Sequence, residues 1–171
     1  MKSFLISILI APAIFAAAAF GQQADTWKKF TSAEGKFSVT LPCTPEVTSD
    51  DLKETSAKQV YHSCLYVNAV YQVSYTTIEN VTVTKKALKN FRDGVAKGAK
   101  STISDDKEIS LSTYPGREFS TDGAAGTAQI HYDWRIFLVG NRIYSLGFAM
   151  KKGESDPAAK EKFFSSFALT N

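Results

Sequence analysis

The longest uninterrupted alternation in the chain runs from Thr127 to Lys151, and few folds can accommodate it. In an extended strand successive side chains point to opposite faces. Ile130, Tyr132, Trp134, Ile136 and Leu138 therefore share one side, and His131, Asp133, Arg135, Phe137 and Val139 the other. Gly140-Asn141 follows, a Gly-first pair suited to a type II′ turn, and the alternation resumes from Arg142 to Met150. The spacing predicts a hairpin with Trp134 opposite Gly147 and Ile136 opposite Ser145. Tyr144, Leu146 and Phe148 then join Phe137 and Val139, so both faces are largely apolar and both need cover. Small residues opposite large ones leave room for a helix to settle. The pattern predicts an α+β domain in which helices cover an antiparallel β-sheet.

The flanking segments are shorter. Phe37, Val39 and Leu41 alternate with Ser38 and Thr40 in a short strand after a polar leader, and Pro42 ends it. Thr48 to Ala57 is polar without a period and reads as a loop. Lys58 to Ile78 reads as a second hairpin, turning near Val67-Asn68, with Val60, His62, Cys64 and Tyr66 beside Ala69, Tyr71, Val73 and Tyr75. From Thr84 to Lys100 the period becomes helical: Leu88, Phe91 and Val95 form the inner stripe, Thr84 caps the start and Gly98 weakens the end. The outer side carries Lys85, Lys86, Lys89, Arg92, Lys97 and Lys100 against Asp93 alone. Tyr114-Pro-Gly116 reads as a turn between two short strands, and Gly123 to Gly126 as a flexible connector. Asp156 and Pro157 suit the cap and first position of a closing helix that turns Phe163, Phe164 and Phe167 inward.

With 171 residues and 44% apolar composition the chain supports one domain and is too apolar to be disordered. Met1-Lys2-Ser3 followed by the apolar run Phe4 to Phe20, with small residues at Ala19 and Gly21, reads as a signal peptide over residues 1–21. The mature domain is then 22–171, secreted or periplasmic. No cysteine stands at the cleavage point, which argues against a lipoprotein anchor. Outside the cytoplasm thiols tend to pair, so Cys43 and Cys64 are expected to form a disulfide that stabilises by about 3 kcal/mol. The full chain has 20 basic and 17 acidic side chains, and losing Lys2 with the leader leaves 19 against 17. So even a balance argues against a dedicated nucleic-acid binder.

Several stretches together resemble the PsbP-like group of exported domains, which includes DcrB-type bacterial proteins. They are Trp27, Phe30 and Gly35 to Pro42, the strand after Tyr114-Pro-Gly116, the strands about Gly140-Asn141, and the closing Phe163 to Leu169. The resemblance spans nearly the whole mature chain. It implies an α/β/α sandwich on a curved antiparallel sheet and an accessory, non-enzymatic role, and it carries no catalytic residues or cofactor. The cysteine pair and the lysine-rich helix are not parts of it.

No Gly-x-Ser-x-Gly elbow and no phosphate-cradling glycine motif occurs, and only two histidines could serve as a base. His131, Asp133 and Arg135 form a polar patch along one strand face, more simply a satisfied charge cluster than a catalytic one. Cys43, His62, Cys64 and His131 could supply a tetrahedral metal site only if the thiols stayed reduced. An exported binding or accessory protein is therefore the first reading, with an unknown protein or small ligand as partner. Lys85, Lys86, Lys89 and Arg92 are the candidate partner-binding residues, with weak contact to an anionic membrane surface among their uses. A metalloprotein or a hydrolase built on the histidine clusters is the alternative. Asn80-Val81-Thr82 matches a glycosylation sequon.

Overall fold

A computed structural model describes residues 27–52, 57–78 and 85–171. The proposed signal peptide, the Thr84 cap and the Asn80 sequon lie outside the described residues, as do the side chains of Leu52 and Lys85. The element order is β1 (Lys28–Ser32), β2 (Phe37–Leu41), β3 (Glu46–Leu52), β4 (Ala57–Tyr66), β5 (Ala69–Thr77), α1 (Lys85–Gly98), β6 (Ile103–Leu111), β7 (Tyr114–Ala125), β8 (Ala128–Val139), β9 (Arg142–Lys151), α2 (Pro157–Ser165) and β10 (Ala168–Leu169). Seven strands make one antiparallel sheet in the order β3-β4-β5-β9-β8-β7-β6, and three make a second in the order β1-β2-β10. No described helix is long and apolar enough to cross a membrane.

The main hairpin forms in the register that its sequence dictates, with Trp134 opposite Gly147, Ile136 opposite Ser145 and Val139 opposite Arg142. Gly140 turns it at φ +61°. The second hairpin also forms, pairing His62 with Val73 and Tyr66 with Ala69. Val67 starts that turn at φ 55°, a conformation a β-branched residue adopts only when the strands on both sides hold it there.

Both faces of the large sheet are covered, as their apolar character requires, but the cover is not two layers of helices. This corrects the α/β/α sandwich. On one face α1 lays Leu88, Phe91 and Val95 on Phe119, Trp134, Ile136, Leu138 and Ile143. On the other face the three-stranded sheet and α2 share the work: Phe37, Val39, Leu41, Phe163, Phe164 and Phe167 pack on Val73, Tyr75, Phe137, Tyr144, Leu146 and Phe148. The fold is mostly strand, with only α1 and α2 as helices among the described residues.

Three local readings change for the same reason, namely that pairing with a neighbour overrides weak local propensity. Thr48 to Leu52 belongs to strand β3, whose polar residues sit exposed at a sheet edge and pair with β4 from Glu46↔Ser63 to Leu52↔Ala57. The turn between β6 and β7 falls at Ser112-Thr113, with Ser112 at φ 54°, not at Tyr114-Pro-Gly116. Pro115 stands one residue before the β7–β8 ladder begins at Gly116, so its missing N–H does not interrupt that ladder. Gly123 to Ala125 continues β7 instead of forming a connector, and the chain turns at Gly126.

Cys43 and Cys64 are joined in a disulfide, which ties the chain just past β2 to β4 and is consistent with a location outside the cytoplasm. At the opposite end of β2, Arg142 Nη1 donates to the Glu34 and Gly35 carbonyls at 3.0 Å each, and Tyr144 Oη donates to the Gly35 carbonyl at 2.7 Å. The guanidinium also lies over the Tyr75 ring, 4.7 Å from its centroid. The closing helix starts as its sequence predicts: the Asp156 carboxylate accepts from the Ala159 amide at 2.9 Å, and Pro157 follows.

A side chain at position 147 would place its Cβ 2.7 Å from Trp134 Cζ3. Gly147→Ala is therefore expected to cost about 1–3 kcal/mol, read as a lower denaturation midpoint with an unchanged slope.

Candidate functional site

On the α2 side of the sheet, polar and charged residues of β7 and β8 face one another across the strands. Register places Glu118 opposite Arg135, Ser120 opposite Asp133 and Asp122 opposite His131. The polar patch read from the sequence is thus one half of a two-strand ladder, the other half being supplied by alternate residues of β7. Arg135 Nε donates to Glu118 at 2.5 Å, and its guanidinium caps the Phe164 ring at 4.7 Å. Ser120 Oγ donates to Asp133 Oδ1 at 2.8 Å, and Lys160 of α2 meets the other Asp133 oxygen at 2.9 Å. His131 Nδ1 is 2.8 Å from Asp122 Oδ1, and Lys152 Nζ reaches Asp122 Oδ2 at 2.8 Å. Lys107 of β6 closes the far end on Glu118 at 2.6 Å.

Their environment lowers the pKa of two of these carboxylates, Glu118 and Asp122. Burial pushes the Glu118 carboxyl up, but hydrogen bonds from Lys107 and Arg135 outweigh it and hold the group below its ordinary value. Lys152 first, and then His131, pull Asp122 down by hydrogen bonding. Where α2 begins, His131, Asp133, Met150, Asp156, Pro157 and Lys160 line a cleft of about 130 Å³.

Acyl transfer needs a hydroxyl on the imidazole, and Ser120 donates to Asp133 instead, while His131 bonds Asp122. The Cys/His set is not gathered either. Cys43 and Cys64 are bonded to each other, and His62 on β4 is separated from His131 on β8 by β5 and β9. Among the described residues no group of three or more His, Cys, Asp or Glu side chains is placed to hold a metal ion.

The lysine-rich helix is the second candidate. Lys86, Lys89, Lys97 and Lys100 are exposed, but Arg92 is not available with them. Its side chain is 11% exposed and is held by Asp93 and by Asp106 of β6. Asp106 in turn accepts from Arg117 Nε and Nη2 at 2.9 and 2.7 Å, and Glu108 lies 3.6 Å from Arg117 Nη1. These bonds, Arg117's foremost, keep the Asp106 carboxyl below its usual range. Helical spacing groups Arg92 with the lysines, because it does not show an acid arriving from the next strand.

Comparison with known proteins adds fold information only. No family model matches the chain, and no curated protein matches it. A solved structure from Bacteroides thetaiotaomicron VPI-5482 is similar at a TM-score of 0.53 and 16% identity, over 85% of this chain and 49% of that one. The likeness is one of fold. The present chain spans about half the length of that protein.

Asp106 holds two arginines and its side chain is 22% exposed. Asp106→Asn is expected to lower stability by about 1–2 kcal/mol at neutral pH. A carboxyl depressed in the folded state stabilises above its unfolded value and loses that contribution as pH falls through the folded one. The gap between wild type and variant in denaturant titrations should therefore close below about pH 4.

Proposed function

We infer that the chain is an exported, non-catalytic binding or accessory domain that meets an anionic partner through the outer side of α1. The observation that carries this reading is the inequality of charge on that helix. Asp93 is engaged by Arg92, whereas Lys86, Lys89, Lys97 and Lys100 are exposed and have no ion pair among the described residues. Clustered cations of this kind raise the local concentration of anions and speed encounter. The ladder on the opposite face supports the non-catalytic half of the reading, because its acids and bases satisfy one another. The resemblance to PsbP-like exported domains points to the same accessory role.

The partner surface consistent with such a ridge is an anionic membrane or an acidic protein face. Each lysine near an anionic bilayer contributes about 1 kcal/mol. Charge reversal at Lys86, Lys89 and Lys97 together is therefore expected to weaken binding of the mature protein to phosphatidylglycerol-containing vesicles by about a hundredfold or more and to remove its salt dependence. Cosedimentation at low and physiological salt measures this. Salt-independent binding, or equal binding by the triple variant, would contradict the reading.

A further inference from the structure

His62 lies on the inner face of β4, 4% exposed, where the two sheets meet. Its ring packs against Phe30 of β1 and Phe37 of β2 at centroid distances of 5.4 and 5.2 Å, and against Tyr75 of β5 at 6.1 Å. Its ring neighbours in this box are all aromatic, and its register partners on the flanking strands are valines, Val73 of β5 buried and Val47 of edge strand β3 exposed. His62 Nδ1 has no hydrogen-bond partner. A buried polar atom without a partner is uncommon, and a buried unpartnered cation far more costly.

The groups able to answer a charge there are few. Glu34, on the β1–β2 turn, bears on both His62 and Tyr75. Arg142 and Tyr144 of β9 are occupied with the Glu34 and Gly35 carbonyls. Lys28 shares the inward side of β1 with Phe30 and is exposed. Asp51 shares the face of Val47 on β3, four residues along the strand. Among these charged side chains Glu34 is the one that favours a proton on His62, and it is exposed to water. Burial pushes the imidazole below its ordinary value, with the Val73 backbone hydrogen bond and Glu34 pulling less strongly the other way.

The small sheet has a covalent tie at one end, hydrogen bonds to the Glu34–Gly35 turn that water can replace at the other, and the His62 box between them. Cys64 stands two residues beyond His62 on the same face of β4, and its disulfide to Cys43 ties down the chain two residues past the end of β2. A sheet let go at His62 would still be tethered there. We propose that His62 is an acid-operated release, at which uptake of one proton from solvent opens the three-stranded sheet away from the seven-stranded one about the Cys43–Cys64 hinge. The chemistry is a single N–H bond formed at the imidazole, whose new donor and charge find water only when the aromatic box parts. Opening bares Phe30, Phe37, Val39 and Leu41, so that this apolar surface is exposed more often in acid than near neutrality.

The sign follows from linkage. A histidine with a depressed folded value binds its proton more readily when opened, so the closed state loses ground as pH falls below the ordinary imidazole value of about 6.5. One linked proton permits about a tenfold rise in the opening equilibrium per pH unit. Hydrogen exchange with the disulfide intact, corrected for the intrinsic pH dependence of exchange, reads the opening at about pH 7.5 and about pH 5. The expected result is at least a tenfold loss of protection in β1 and β2 with β8 and β9 unchanged. The loss should disappear in His62→Phe and persist in Glu34→Gln and His131→Asn. The same loss in His62→Phe, or its disappearance in either control, would overturn the proposal. Should His62→Phe fail to fold, the imidazole resonances of the wild-type protein decide. Titration in step with the loss of protection supports the release, and titration at the ordinary value with β1 and β2 still protected overturns it.

Discussion

The structure depends on the burial of one aromatic sheet face by a second, smaller sheet. Phe37 is at the centre of it: fully buried, its ring lies within 5.2 to 6.5 Å of the rings of His62, Tyr75, Tyr144 and Phe167. Each such ring removes a large apolar area from water, and the tilted and edge-on geometries add to that burial. Without this contact Phe137, Tyr144, Leu146 and Phe148 would be left uncovered on strands β8 and β9, since α2 is only nine residues long. The covalent tie at Cys43–Cys64 and the Arg142 and Tyr144 hydrogen bonds at the Glu34–Gly35 turn hold the small sheet at its two ends. The apolar contact between them supplies the driving force.

The opposite face follows a different rule. There α1 needs only a stripe of Leu88, Phe91 and Val95 to seat itself, because Gly147 and Ser145 make β9 shallow beside Trp134 and Ile136. The outer side of the helix is then free to carry charge, and the one region where β6 and β7 approach it is neutralised by Asp106 between Arg92 and Arg117. Charge is thus satisfied where the helix meets the sheet and left open where it meets solvent. The ladder on the α2 side obeys the same logic, with hydrogen-bonded polar and charged cross-strand pairs replacing the apolar pairs that fill the rest of that face.

Much of this was legible in the sequence, and the failures have identifiable causes. The hairpin about Gly140, the Trp134 and Gly147 pairing, the inner stripe of α1 and the Asp156 cap all rest on local periodicity or on a residue with one strong conformational preference. They appear where expected. Strands β1 and β3 were not legible, because Lys28-Lys29 and Asp50-Asp51 sit at sheet edges, where exposure removes the alternation that marks a strand. The turn at Ser112 was hidden for a similar reason: a left-handed serine leaves no trace in composition, whereas Tyr114-Pro-Gly116 carries a conspicuous turn signal. The layering failed because two apolar faces specify that cover is needed but not what supplies it. Of the candidate site, His131, Asp133 and Arg135 were visible as a stripe, but Glu118, Ser120 and Asp122 complete it only through strand pairing, and alternation along β7 was the one signal for them.

The claim on which the account turns is that strands, not a further helix, cover the aromatic face of the large sheet. A nuclear Overhauser spectrum of the mature protein tests it directly. The account predicts cross-peaks from the Phe37 ring to the rings of Tyr144, Phe167 and His62, together with strand-type contacts between Phe30 and Val39, which are register partners. Helical contacts along Lys28 to Leu41, or a Phe37 ring without cross-peaks to Tyr144 and Phe167, would contradict it.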